Sequence, residues 1–122
     1  MTQEDVAQVM RQFCLFTDLD EQEAERYRAM VEFSAQEIEG RLRRGVDTDL
    51  HRERIILLCA ANAYYKYVLV TAAAESVKLG DLSVSGGGDR EAALAAAVLE
   101  EYCGACADIL CDRAFLFGQV GG

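Results

Sequence analysis

Five cysteines and a single histidine are the residues of this 122-residue chain best suited to metal or thiol chemistry. Cys103-Gly104-Ala105-Cys106, with Cys111 beyond, has a spacing at which soft thiolates hold zinc. A four-ligand site needs a second pair, and the other candidates, Cys14, Cys59 and His51, are scattered over other segments. On a straight helix Cys106 and Cys111 would lie about 140° apart, too far round to face one metal. A thioredoxin-type motif follows a strand and opens a helix, whereas this one reads as lying deep inside a helix. The pattern favours small apolar cysteines in a core, with no metal and no cofactor. An odd count without framework spacing, and an acidic start at Met1-Thr2-Gln3-Glu4-Asp5 where a signal peptide would be basic, suit free thiols in a reducing cytoplasm.

The remaining chemistry-bearing residues read as follows. His51 stands at the start of a helix, where a solvated role is expected. Arg41, Arg43, Arg44, Arg52 and Arg54 form one basic cluster. It either meets an acidic surface on a partner or neighbouring copy, or caps a helix C-terminus and pairs with nearby acids. Tyr64, Tyr65 and Tyr67 fan out on one helix, so at least one is expected to point away from the core. Gly86-Gly87-Gly88 lacks the Lys-Ser/Thr pair and the leading strand of a phosphate loop. No nucleophile–base pair stands out, and the chain does not read as an enzyme.

The elements that must position these residues read as helices. Thr2 with Asp5 caps a first helix from Gln3 to Phe16, whose apolar stripe is Val6, Val9, Met10, Phe13 and Phe16. Asp20 with Glu23 caps a second, from Glu21 to about Arg44, on the repeat Ala24, Tyr27, Val31, Ser34, Ile38 and Leu42. Thr48 is the expected cap of a long third helix reaching Lys78, apolar on most sides between Ile55 and Val70. Asp89 caps a fourth that runs to about Arg113, with Ala92, Ala96, Leu99, Tyr102, Cys103, Cys106, Ile109 and Leu110 inside. The expected fold is all-α. It is a single-domain bundle of three to four helices over residues 1–122, with one long central helix and a short strand or arm near 81–85.

Net charge is −9, from 21 acidic and 12 basic residues, which excludes sequence-independent binding to nucleic-acid phosphates. The Ile55–Ala74 window carries Lys66, Asn62 and three tyrosines, so it reads as a buried helix and no membrane partner is expected.

Two segments stand apart from the helices. Leu82 and Val84 alternate with Asp81, Ser83 and Ser85, the pattern of a half-covered strand, followed by Gly86 to Gly88 as slack. Such an arm, residues 80–89, either lies on the helices or pairs with another molecule, and the second is preferred. The end, Phe115-Leu116-Phe117-Gly118-Gln119-Val120-Gly121-Gly122, is too apolar for a frayed terminus. It either covers the core or docks on a partner.

Three pieces in order carry a resemblance. They are the helix Leu57-Leu58-Cys59-Ala60-Ala61-Asn62-Ala63-Tyr64-Tyr65-Lys66-Tyr67, the arm Gly80-Asp81-Leu82-Ser83-Val84-Ser85, and the end Asp112-Arg113-Ala114-Phe115-Leu116-Phe117-Gly118-Gln119-Val120. Together they resemble the head–tail connector (head completion, adaptor) proteins of long-tailed phages and prophages, over about the last seventy residues. The resemblance implies a structural virion protein, made in the bacterial cytoplasm, that is neither an enzyme nor dependent on a cofactor. It implies a homo-oligomeric ring beneath the portal protein, which extends the DNA channel and meets a neck or tail completion protein. DNA would pass through without specific binding. The subunit or portal interface would include Gly80, Asp81, Leu82, Ser83, Val84, Ser85, Phe115, Phe117 and Val120. The alternative is a cytosolic helical regulator with a cysteine-based metal or redox site.

Overall fold

A computed structural model describes residues 1–79 and 87–111. The fold is all-α, with five helices in the order α1 (Gln3–Thr17), α2 (Glu21–Glu25), α3 (Arg28–Glu39), α4 (Arg52–Leu79) and α5 (Gly87–Ala105), and no strand among the described residues. The proposed strand at 81–85 and the tail at 115–122 lie outside them.

Both expected capping boxes form. The Asp5 amide donates to Thr2 Oγ1 at 3.1 Å while the Thr2 amide donates to Asp5. The Glu23 amide donates to Asp20 Oδ1 at 2.7 Å, with the reciprocal bond to Glu23 Oε1. Each box satisfies two amides that a helix start leaves without partners. α1 ends at Asp18, whose left-handed backbone (φ 62°) turns its amide back to the Cys14 carbonyl at 2.8 Å.

The second helix divides in two at Arg26 and Tyr27. The Arg26 and Tyr27 amides reach back only three residues, to Glu23 and Ala24, and the tightened turn re-aims the Tyr27 ring. That ring meets Tyr67 edge-on at 5.0 Å and Phe13 at 6.3 Å. α3 stops at Glu39, five residues before the expected Arg44. α5 stops at Ala105, well before the expected Arg113. One long-range contact accounts for both early ends. Leu42 and Leu110 form an antiparallel bridge, in which the Arg43 amide donates to the Ile109 carbonyl and the Cys111 amide to the Arg41 carbonyl, each at 2.8 Å. Arg43 Nε adds a bond to the Leu110 carbonyl at 2.9 Å. Residues 41–43 and 109–111 thus exchange helical bonds for bonds with each other.

α4 begins at Arg52 instead of following a Thr48 cap. The turn before it is held by Asp47, whose carboxylate accepts from the Asp49 and Leu50 amides at 3.1 and 3.2 Å. α5 likewise begins at Gly87, two residues ahead of the expected Asp89 cap.

α4 is the central helix and packs against α1, α3 and α5. Ile55, Ile56, Leu58, Cys59, Ala60, Ala61 and Ala63 are buried on it. The small side chains let three neighbours approach closely, which no single apolar stripe would allow. Opposite lie Val9, Met10 and Phe13 of α1, Val31, Ala35 and Ile38 of α3, and Leu99 and Cys103 of α5. Arg52–Ala72 is long and apolar enough to cross a membrane by length and composition, and half of that window is buried against the other helices.

Specific contacts fix the directions. Asp5 meets Arg52 and Phe16 meets Tyr64, so α1 runs parallel to α4. Ser34 meets Asn62 and Phe33 meets Lys66, so α3 runs against it. Asp108, just past α5, meets Arg54, so α5 also runs against it. α1, α3, α4 and α5 therefore form an up–down–up–down bundle.

Candidate functional site

The cysteines do not converge. Cys59 and Cys103 are fully buried, Cys106 is buried, Cys14 is half-buried and Cys111 is exposed, and none of them is in a disulfide. Cys103 lies in the last turn of α5 and Cys106 in the turn after it, so the motif straddles a helix end and is not deep inside one. Cys106 Sγ faces the Arg54 carbonyl at 3.9 Å and Cys111 Sγ the Leu42 carbonyl at 3.6 Å, on different elements. Among the described residues no group of three Cys, His, Asp or Glu side chains could hold a metal. Burial pushes the Cys59 and Cys106 thiols up, and burial with the nearby Glu21 and Asp20 charges pushes Cys14 up. Raised thiols are poor nucleophiles because the thiolate is the reactive form. In the native protein a chromogenic disulfide reagent is expected to label Cys111 quickly, the half-buried Cys14 slowly, and Cys59, Cys103 and Cys106 only on unfolding. Mass mapping that finds rapid labelling at Cys14, Cys59, Cys103 or Cys106 would contradict this.

The basic cluster is divided among separate partners. Arg52 donates to Asp5 at 2.6 Å. Arg54 forks onto Asp108 at 2.9 and 3.1 Å and donates to the Ala105 carbonyl at 2.7 Å, closing the C-terminus of α5. Those bonds hold the Asp108 carboxyl below its usual range. His51 is half-buried, and its Nδ1 accepts from Arg54. It is part of this latch, not the solvated residue expected. The acids that Arg52 and Arg54 meet are distant in sequence, which only the fold reveals. The latch and the Leu42–Leu110 bridge fix the chain at 108–111, where the apolar tail departs.

The three tyrosines are all half-buried. Tyr64 stacks on Phe16 at 5.5 Å, and Phe16 also meets Tyr102 of α5. Tyr67 meets Phe13 at 5.7 Å. Tyr65 packs against the core. Tyr64 and Tyr67 are thus spent on joining α4 to its neighbours, and none of the three is an exposed anchor.

The aromatic layer marks the top of the four-helix bundle. α1 ends at Thr17 and α3 begins at Arg28, both level with Tyr64–Tyr67. Past that level α4 continues to Leu79, and among the described residues α5 is the helix that runs on beside it. The projecting part of α4 is about 18 Å long at ~1.5 Å per residue. Leu69, Val70 and Leu94, exposed by 42%, 54% and 58%, lie on this two-helix spur. Sequence periodicity missed it, because helix length says nothing of where neighbouring helices stop. The interface residues expected from sequence, Gly80, Asp81, Leu82, Ser83, Val84, Ser85, Phe115, Phe117 and Val120, lie outside the described residues. The first six fall between the two helices of the spur, and the last three follow the 108–111 clamp.

No family model, no curated protein and no solved structure matches the chain.

Proposed function

We propose that the chain is a head–tail connector: a structural virion subunit that forms a ring beneath the portal, extends the DNA channel and joins capsid to neck or tail. The observation that carries this reading is the α4–α5 spur. Among the described residues α4 and α5 run on past the ends of α1 and α3, and Leu69, Val70 and Leu94 there are apolar side chains left in water. Large apolar residues exposed together on a projection suit burial in an assembly. The segment at 80–86 connects the two helices of that spur, where it can reach an adjacent subunit or the portal. The net charge of −9 suits a wall past which DNA slides without binding. On this reading the protein acts by shape and contact, without catalysis or cofactor, and is located at the head–tail junction of the virion.

Mass by light scattering tests it, for the chain alone and mixed with the portal protein of the same phage. A closed ring, or co-elution with the portal that disappears on deleting Gly80 to Gly88, is expected. A monomer indifferent to the portal that carries stoichiometric zinc would replace this reading with the cysteine-based regulator.

A further inference from the structure

The clamp and the spur occupy opposite ends of the molecule. Asp108 is held level with Arg54, and Cys111 is tied to Arg41 beside the same end of α4. Leu69 and Val70 lie about 15 residues further along α4, or about 22 Å. Even fully drawn out at ~3.5 Å per residue, the chain from Cys111 brings Phe115 only about 14 Å and Phe117 about 21 Å. Phe115 therefore falls short of the chain's own spur, and Phe117 arrives with no slack to dock. A second copy is under no such restriction.

We propose that the tail of one subunit, anchored by Phe115 and Phe117, docks on the Leu69, Val70 and Leu94 surface of the next. This rests on the reading of the chain as a ring subunit and names the contact that closes the ring. Charge favours the tail as the segment that approaches another copy. Residues 112–122 carry one Asp and one Arg, while the whole chain carries −9. A neutral apolar segment meets the least repulsion from an acidic neighbour. Because the contact joins unlike ends of two identical chains, it is heterologous, and repetition by rotation closes it into a ring.

The probe is a labelled synthetic peptide of residues 112–122, titrated by fluorescence anisotropy into the full chain diluted to monomer. Binding is expected. It should weaken at least tenfold for Leu94→Asp and for Val70→Asp, and should be unchanged for Leu15→Asp, an exposed position on α1 (71%). Circular dichroism confirms that each variant is folded. No binding, or equal binding to the spur variants, would overturn the proposal. So would binding that appears only once the chain's own tail carries Phe115→Asp and Phe117→Asp, since that shows docking within one chain. Light scattering with the portal separates the two claims. If the Phe115→Asp/Phe117→Asp chain still forms the ring, the connector reading stands and the tail contact falls. If the peptide binds as expected and no ring forms with the portal, the tail contact stands and the connector reading falls.

Discussion

Phe13→Ala is expected to destabilise the protein by about 3–5 kcal/mol, read as a fall in the denaturant midpoint with little change in slope. Phe13 is fully buried on α1 and meets Tyr67 edge-on and Tyr27 at a tilt. Truncation removes the ring's transfer free energy and leaves a void that three helices must share. α1 is held by its capping box and by the partly exposed Asp5–Arg52 pair, neither of which can offset such a void. A domain of this size is stable by about 5–15 kcal/mol, so about a fifth or more of the total is at stake. Leu15→Ala on the same helix is the matched control, since Leu15 is 71% exposed and should change stability by less than about 0.5 kcal/mol. A Phe13→Ala loss below about 1 kcal/mol would mean that α1 does not pack on α4 through this ring.

The aromatic layer around Phe13 also shows what sequence could and could not reveal. Val9, Met10 and Phe13 on α1 and Val31, Ser34 and Ile38 on α3 are buried as their three- and four-residue spacing requires. Periodicity succeeds there because each helix has one buried face. The break at Tyr27 escaped it, because neither glycine nor proline marks the site and the ring that the break places meets a partner forty residues distant, Tyr67. Helix ends at Glu39 and Ala105 escaped it for the same kind of reason. Arg41 to Arg44 suit a helix C-terminus by charge, yet the Leu42–Leu110 bridge claims that backbone. Arg54 read as one member of a basic cluster because its partner, Asp108, is 54 positions away. The arm and tail stood out by composition alone. The spur between them needed the relative lengths of four packed helices.

The other large effect is expected at Asn62, one of two polar side chains buried among the described residues. Its Nδ2 donates to the Ser34 carbonyl at 3.2 Å and to Glu37 Oε1 at 3.0 Å, and Lys66 meets the same Glu37 oxygen. Both partners of Asn62 are acceptors, so only a donor fits. Asn62→Asp sets a carboxylate, at a position that is 1% exposed, against a carbonyl oxygen and a second carboxylate. The expected loss is about 3 kcal/mol or more at pH 7.5, because the buried charge faces two acceptors and the nearby Lys66 is already paired with Glu37. Burial and the Glu37 charge would both raise the new carboxyl above its usual value of ~3.9. A group whose folded pKa exceeds its unfolded pKa keeps its proton on folding. The penalty is therefore absent below the unfolded value, grows above it, and is complete once pH passes the raised folded value. Denaturant midpoints at pH 7.5 and 5 should show the variant closing on the wild type in acid. Asn62→Leu removes the donor without adding charge, so it should cost less and show no such convergence. If Asn62→Asp and Asn62→Leu fall equally at both pH values, the loss is one of shape, and the hydrogen bonds to Ser34 and Glu37 are not what holds α3 against α4 at this point.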